Sequence, residues 1–494
     1  MSKKAGIKKN LLYSLVYQIL AIILPLITSP YVARVLGAKS VGIYSKSQAL
    51  ANYFLLFAML GVNNYGNRSI ARVRNDRKTM SRTFWEIYSF QLITSVVVSS
   101  LYFVYCIFVS KNNTVIYMMQ MFYVVSAVID VNWCCFGLEN FRLTTIRSMV
   151  VKVITVVAIF VFVRDDGDLW IYTIIMSSSF LVSNIVVWPY ILKEVDFVKP
   201  KWKGIVCHIK PNMILFWPII AVSLYNIMDK LMLGFFCNDE EVAFYTYSER
   251  IVTIPTTLIL ALDNVVMPRI SNMYATEQKS DKIKKLMDSI MLFAMLMAAA
   301  FGFGLAGVAK VFAPWFYGKA FVKCGYFIRL LCPVIIVKTW AGALRTQYII
   351  PTGKDKIYAF SLTAGAIVNL ILNILLIPRM AGVGAIIGTI AAEFTVCFLQ
   401  FYCCRKDIDI KGYMINGLSF CVVGGIMFFV VASMSSIASG AVKVLLAQIV
   451  VGGIVYVIGA TFYMIRIRKN PILVNEFLKI FKVKYRFKCD ENRA

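Results

Sequence analysis

Basic side chains occur within apolar segments that hold few other charges: Arg34, Lys46, Lys230 and Arg250. Ionisable groups inside a membrane are costly, so they usually face a cavity or a charged partner. Arginine and lysine are the usual protein partners of phosphate groups. We therefore predict that these four residues line a cationic cavity that binds an anionic, phosphate-bearing substrate.

Polar and acidic side chains accompany these bases on the same segments. Asn52 shares a helical stripe with other polar residues of its segment, and Asn226 precedes Lys230 by about one helical turn, so both are predicted to contact the substrate. Asp229 and Glu249 are each adjacent to a base in the sequence. We predict that these two acids either bind a coupling cation or proton, or form ion pairs with the bases.

A short pattern occurs twice. The first copy reads Leu36-Gly37, Val41-Gly42-Ile43-Tyr44 and Arg68. The second copy reads Leu233-Gly234, Val242-Ala243-Phe244-Tyr245 and Arg269. Each arginine follows its tyrosine at the same spacing, so the two copies predict two related halves with a central cavity, as in many transporters. Arg68 and Arg269 are predicted either to form a cytoplasmic gate or to serve as orientation charges at helix ends.

Structural explanations stand beside these functional ones. Arg34 and Lys46 lie near predicted helix ends, where long basic side chains reach the membrane interface. The pairs Asp229-Lys230 and Glu249-Arg250 are also compatible with ion pairs between helices. The sequence alone leaves both kinds of explanation open.

Composition places the chain in a membrane. Of its 494 residues, 60% are hydrophobic and 16% charged, and the mean hydropathy is +0.73. A soluble protein of this length would be roughly 45–50% apolar and about 25% charged. The net charge of +27 is distributed between the apolar runs, which indicates orientation at an anionic membrane surface and excludes a nucleic-acid-binding domain. One histidine and twelve cysteines without a Cys-x-x-Cys motif predict no metal site.

The apolar runs predict an all-α polytopic protein with about fourteen transmembrane helices, because helices satisfy their own backbone groups in lipid. The predicted spans are residues 11–33, 41–62, 84–109, 114–137, 146–163, 169–192, 212–236, 242–266, 286–309, 326–344, 357–377, 383–403, 413–434 and 444–465. Lysine and arginine concentrate in every second inter-span segment, which predicts that both termini are cytoplasmic and that the repeat is parallel.

These spans predict four regions. Residues 1–192 form an N-terminal lobe of six spans, 193–211 a basic cytoplasmic linker, and 212–404 a C-terminal lobe of six spans. Residues 405–494 hold two further helices and a basic cytoplasmic tail. No metalloprotease, nucleophile-elbow or P-loop motif is present, so we predict a protein that is not an enzyme and that has no cofactor.

Several stretches resemble bacterial polysaccharide flippases of the Wzx type: residues 25–45, 60–68, 225–234, 245–251, 268–269 and 382–385. These flippases belong to the superfamily of multidrug, oligosaccharidyl-lipid and polysaccharide exporters. The resemblance implies two six-helix lobes, a V-shaped cavity and alternating access. It also implies coupling to a gradient such as H⁺ or Na⁺, and a location in the bacterial cytoplasmic membrane.

The resemblance implies a particular cargo as well. This cargo is an oligosaccharide on undecaprenyl pyrophosphate, moved from the inner to the outer leaflet for capsule, O-antigen or other exopolysaccharide synthesis. A polymerase and chain-length machinery are then expected as partners. Two alternatives remain, namely a cation-coupled drug antiporter of the same superfamily and a polysaccharide polymerase. The short outside segments disfavour a polymerase, which would be expected to carry a large outside loop with basic catalytic residues.

Overall fold

The computed structural model describes residues 2–110, 113–276, 281–436 and 440–467. The described residues are almost entirely helical and contain no strand. In chain order the α-helices are α1 Ser2–Met59, α2 Val62–Val73, α3 Arg77–Phe108, α4 Thr114–Val125, α5 Asn132–Gly137, α6 Phe141–Phe162, α7 Leu169–Ile185, α8 Trp188–Glu194, α9 Trp202–Cys207, α10 Ile209–Phe236, α11 Asp239–Thr276, α12 Asp281–Tyr317, α13 Val322–Leu344, α14 Asp355–Met380, α15 Gly382–Cys404, α16 Ile410–Ser433 and α17 Ala441–Phe462. The predicted all-α membrane fold is confirmed.

Eleven helical segments among the described residues are long and apolar enough to cross a membrane. The first of them, Ile22–Val73, contains the second predicted span and residues 22–33 of the first. Two other predicted spans have no counterpart among the eleven: α4 is only 12 residues long, and α10 is not one of the eleven segments. The predicted number of fourteen therefore stays a prediction.

The first two predicted spans meet at a kink instead of a loop. Gly37 has φ 71° and ψ 175°, while helix continues on both sides of it within α1. An L-amino acid with a side chain rarely adopts this φ, whereas glycine adopts it readily. The first repeat thus places a glycine at a change of helix direction, and the loop expected at residues 34–40 is absent because one residue makes the turn.

Contacts divide the chain into two compact units, Met1–Ala243 and Phe244–Ala494. This division falls after α10, whereas the sequence analysis placed a linker at residues 193–211. Within the first unit, α10 packs against α1 and α2, which explains why it groups with them. The predicted lobe boundaries were drawn from the repeat and the charge pattern, and they stay a prediction.

In the first unit, α1 packs against α3, α4, α6 and α10, while α2 packs against α3 and α5. A buried apolar cluster includes Phe84 of α3, Trp133 of α5 and Ile205 of α9. The helical segment that begins with α4 is interrupted, because the non-helical residues 126–131 separate α4 from α5. The single predicted span at 114–137 is therefore two short helices joined by a turn.

In the second unit, α14 pairs with α15, and α13 packs against both α12 and α15. The helices α16 and α17 pack against α12, and their side chains belong to the same apolar core, which includes Met291, Phe420 and Tyr456. The last two helices, predicted as an addition to the second lobe, are therefore built into the core of the second unit.

Candidate functional site

The predicted site residues lie on α1, α2, α10 and α11, in two separate units. The side chains of Asn226 and Arg269 lie outside the part of the chain that the structure describes. Of the other eight, six lie in the unit Met1–Ala243, and Glu249 and Arg250 lie in the unit Phe244–Ala494.

Lys46 connects α1 to the turn between α10 and α11. Its Nζ donates a hydrogen bond to the carbonyl oxygen of Gly234, and it lies 4.0 Å from Oδ1 of Asp239. The same Nζ lies 5.6 Å from the centroid of the Phe235 ring. A Cβ on Gly42 would lie 1.7 Å from the Asp239 carbonyl oxygen, so a side chain there would prevent this close approach. Lys46 and the close backbone approach at Gly42 thus hold the α10–α11 turn against α1.

Asn52 also makes a contact between helices, because its Oδ1 accepts a hydrogen bond from the Tyr123 hydroxyl at 2.5 Å. Arg34 is exposed on α1, about one helical turn before the kink at Gly37. Arg68 is exposed on α2. Of the basic residues predicted in this unit, Arg34 and Arg68 are therefore open to the surroundings, while Lys46 is half-buried.

Asp229 and Lys230 occupy α10. Asp229 is buried, with only 3% of its surface exposed, and it acts electrostatically on Tyr53 of α1. The Tyr53 hydroxyl also donates to the carbonyl oxygen of Ser223 at 3.3 Å. Lys230 is half-buried. A buried carboxylate beside tyrosine and a half-buried ammonium form a polar strip where α10 packs against α1.

In the second unit, α11 places Glu249 near an ion pair that the sequence did not connect with it. Lys338 of α13 lies 2.9 Å from Glu393 of α15, between Nζ and Oε1. Glu249 acts electrostatically on Lys338. The Glu393 side chain is 5% exposed and that of Lys338 38% exposed. The structure thus gathers two carboxylates around one ammonium on three helices of one unit.

Arg250 occupies the next position on α11 and is half-buried. Its guanidinium carbon lies 5.1 Å from the centroid of the Tyr247 ring, which is cation–π distance. Nearby, the Tyr245 hydroxyl and the Thr389 hydroxyl lie 2.8 Å apart and link α11 to α15. The second copy of the repeated pattern therefore carries Glu249 and Arg250 on a helix fixed to α15.

A second acidic residue of α11, Asp263, lies under the electrostatic influence of an arginine. Asp263 of α11 is 2% exposed, and Arg345 acts electrostatically on it. Gln347 donates to the Asp263 carbonyl oxygen at 3.3 Å, and both Arg345 and Gln347 belong to the π-helical turn Arg345–Ile349. Such turns are frequent at functional sites.

Lys338 and Glu393 lie inside the predicted spans 326–344 and 383–403, but they were not predicted as site residues. Their positions in sequence carry no shared spacing, and they meet only because α13 packs on α15. Because a charge inside a membrane is costly, the sequence predicts that each of these residues has a charged partner. It does not identify that partner. Among the described residues, no group of three or more metal-ligating side chains is found.

The helical architecture is that of MATE-type transporters. An inward-facing multidrug resistance MATE family transporter of the MOP superfamily superposes with a TM-score of 0.60 at 14% identity, covering 78% of this chain and 94% of that one. The eukaryotic MATE transporter AtDTX14 gives a TM-score of 0.50 at 15% identity, covering 83% and 98%. At these identities the likeness defines the fold, and the class is a multi-pass helical membrane protein.

The family follows from the sequence comparisons. The family model described as "Polysaccharide biosynthesis protein" matches residues 7–274, which is more than half of the chain. The chain belongs to this family. It is similar to proteins named "Putative O-antigen transporter" from Escherichia coli, at 22% identity over 82% of this chain and 98% of the relative, and from Shigella dysenteriae, at 22% identity over 79% and 98%. The family resemblance expected from the sequence is confirmed.

Proposed function

We propose that this chain is a flippase for a lipid-linked oligosaccharide, carried on undecaprenyl pyrophosphate, in polysaccharide biosynthesis. One observation carries the proposal: nearly the whole length of a relative named as an O-antigen transporter aligns with this chain. The transporter fold and the absence of a nucleotide-binding motif agree with this function. The cargo moves from the inner to the outer leaflet as the protein opens alternately to each side of the membrane.

Arg34, Lys230 and Arg250 are the proposed contacts of the pyrophosphate. Guanidinium and ammonium groups bind phosphate oxygens through charge-assisted hydrogen bonds. Lys46 is proposed to act by positioning α10, because its ammonium group bonds to the carbonyl oxygen of Gly234. Gly234 lies about one helical turn after Lys230 on that helix.

The test is a leaflet assay in reconstituted vesicles that contain a fluorescent undecaprenyl-pyrophosphate oligosaccharide. We expect the purified chain to move the lipid well above empty vesicles. Lys230→Ala and Arg250→Ala should lower the rate about tenfold or more, since each removes a charged partner of the phosphate, while Lys230→Arg should retain most of it. Lys406→Ala, an exposed residue on no proposed site, is the matched control.

One outcome would overturn this function, and another would overturn only the proposed pyrophosphate site. Drug efflux without lipid movement would favour the antiporter alternative, which the multidrug transporters among the structural neighbours make the natural second candidate. Normal lipid movement by both alanine variants would remove Lys230 and Arg250 from the pyrophosphate site while leaving the flippase function intact.

We further propose that Glu249, Lys338 and Glu393 couple transport to an H⁺ or Na⁺ gradient. A buried carboxylate whose counter-charge is a single lysine can exchange that partner for a proton or a cation during a transport cycle. The second nearby carboxylate, Glu249, supplies the competing negative charge. This cluster has the composition of an ion-exchange site.

A double substitution separates a coupling role of this cluster from a structural role. Glu393→Gln alone removes the carboxylate that pairs with Lys338 and should lower the amount of folded protein. The double variant Lys338→Met with Glu393→Leu removes both charges, so folding should recover. We expect this variant to move lipid at a rate that no longer responds to an imposed gradient. A gradient response equal to that of the unmodified chain would exclude a coupling role.

A further inference from the structure

The segment between α8 and α10 presents aromatic and basic side chains together on its outer surface. We call it the linker patch and define it by six residues: Phe197, Lys199, Lys201, Trp202, Lys203 and Lys210. Phe197 is 75% exposed and Trp202 is 68% exposed, while the four lysines are all exposed. Two large rings held so far out of the protein require an explanation, because exposed apolar patches usually mark an interaction surface.

The patch is held firmly, so its exposure does not come from a loose loop. Arg77 of α3 bonds both carboxylate oxygens of Asp196, from Nε to Oδ2 at 2.9 Å and from Nη2 to Oδ1 at 2.8 Å. The Asp196 backbone is also bonded, since its N–H donates to Ser81 at 2.9 Å and its carbonyl accepts from Trp85 at 3.0 Å. Three side chains of α3 thus fix the residue that precedes Phe197.

The helix α9 is held against α3 as well. A Cβ on Gly204 would lie 2.0 Å from Oε1 of Glu86, so the backbone of α9 approaches the Glu86 side chain closely at this glycine. Ile205 is buried in the apolar cluster of the first unit. With one side of α9 fixed to the protein, Trp202 and Lys203 are presented on the other.

The surface of the next helix indicates where the patch lies relative to a bilayer. Among the described side chains of α10, those exposed after Lys210 are apolar, and they include Met213 at 44% exposed, Ile214 at 65% and Trp217 at 73%. The linker patch therefore lies where a basic surface changes to an apolar one along a continuous stretch of chain. In membrane proteins this change occurs at the head-group level, where tryptophan is enriched and lysine interacts with anionic lipid.

We propose that the linker patch binds the head groups of anionic lipids, with Phe197 and Trp202 inserted among the acyl-chain ends and the lysines at the phosphates. Charge complementarity carries this choice of partner. The patch combines four exposed lysines with two exposed aromatic rings. The nearest acid in the sequence, Asp196, is bonded to Arg77. The proposal concerns a surface distinct from the residues assigned to the cargo, so it holds or fails independently of the flippase function.

The test compares lipid binding by the full chain in detergent, using native mass spectrometry with added phosphatidylglycerol or phosphatidylcholine. We expect preferential binding of phosphatidylglycerol. The triple variant Lys199→Gln, Lys201→Gln, Lys203→Gln should weaken that binding about tenfold or more, because each basic residue at an anionic surface contributes substantially. The matched control is Lys282→Gln, Lys284→Gln, Lys285→Gln, which neutralises three exposed lysines elsewhere.

A second measurement tests the rings directly. In bilayers of brominated phosphatidylglycerol, the fluorescence of the unmodified chain should be quenched more than that of Trp202→Phe, and the difference reports Trp202. No difference would overturn the insertion of Trp202. Equal lipid binding by the linker and control triples would overturn the site, and competition by inorganic phosphate as strong as by lipid would show a phosphate site in place of a lipid surface. Retention of an acidic protein by the patch, without lipid preference, would also overturn the proposal.

Discussion

At the scale of single residues, the charges within the described helices are satisfied in three different ways. Lys46 bonds to a backbone carbonyl, Lys338 pairs with the carboxylate of Glu393, and Arg250 lies over the Tyr247 ring. An isolated charge in an apolar medium is expensive, whereas each of these arrangements offsets part of that cost. A charge in a membrane helix therefore has to be interpreted together with its partner before a transport role is assigned to it.

His208 is the sole histidine of the sequence and lies outside the eleven apolar segments, where α9 meets α10. The Tyr65 hydroxyl lies 2.7 Å from its Nδ1, and Oε2 of Glu86 lies 3.4 Å from its Nε2. Burial lowers the pKa of His208 below its usual 6.5, and the contact with Glu86 opposes this only in part. Arg82 bonds the other oxygen of Glu86 at 3.0 Å, so this carboxylate is shared.

A pH dependence of stability follows. Because the pKa of folded His208 lies below that of the unfolded chain, its contribution is fully present above about pH 6.5 and is lost as pH falls through the folded pKa. We expect the melting temperature in detergent to fall between pH 7.5 and pH 5, and His208→Gln to reduce that fall. An equally steep fall in the glutamine variant would assign the pH dependence to other groups.

At the scale of elements, irregular helices account for much of the architecture. The kink at Gly37 divides α1, residues 126–131 interrupt the helix between α4 and α5, and Arg345–Ile349 forms a π-helical turn. Each irregularity releases backbone groups from helical bonds, and in an apolar medium those groups need other partners.

The break between α4 and α5 shows how side chains supply those partners. Gln91 Nε2 donates to the carbonyl oxygens of Ala127 and Asp130 at 2.6 Å and 2.7 Å. Trp188 Nε1 donates to the carbonyl of Ile129 at 3.0 Å. Two side chains from α3 and α8 therefore stabilise three carbonyls of the broken segment.

Gln91→Leu should destabilise the protein, because it keeps the volume but removes the donor to two buried carbonyls. Each unsatisfied buried group costs about 1–3 kcal/mol. The melting temperature in detergent is the measurement, and Ser100→Ala is the control on the same helix, since Ser100 is exposed and bonds only within its own helix at 2.9 Å to Val96. Equal melting temperatures for both variants would show that Gln91 does not stabilise the break.

At the scale of the whole molecule, the orientation in the membrane is the next property to test. Most lysines and arginines lie in alternate segments between the apolar runs, which predicts a cytoplasmic linker and cytoplasmic termini. Cys207 is an exposed thiol of α9 and reports on the side of the membrane where the linker lies. Lys319 is an exposed residue of a segment that is predicted to lie on the opposite side of the membrane from the cytoplasm.

Two single-cysteine variants test this orientation. A chain that retains Cys207 as its one cysteine should react with a membrane-impermeant maleimide in inverted vesicles and not in intact cells. A chain whose one cysteine is introduced by Lys319→Cys should react with the opposite pattern. Labelling of both variants from the same side would refute the predicted topology.

Much of the fold was predictable because lipid imposes strong rules on sequence. Apolar runs of about twenty residues must be helical, so the all-α membrane fold followed from composition and pattern. The helix break at residues 126–131 was not predictable, because its stability comes from Gln91 and Trp188, which are distant in sequence. Glu249 was predicted either to bind a coupling cation or proton or to form an ion pair, and its proximity to Lys338 depends on helix packing that the sequence does not show.

The sequence by itself determined the membrane class, the family, the repeated pattern and the approximate positions of most helices, because these depend on local hydropathy and on short motifs. Tertiary structure decided which charges meet. Lys46 and Gly234 are far apart in the chain, as are Lys338 and Glu393, and each pair forms only where helices pack. Helix packing depends on side-chain shape along whole faces, which no local spacing encodes. The same packing decides that Phe197 and Trp202 face outward while Ile205, on the same segment, is buried.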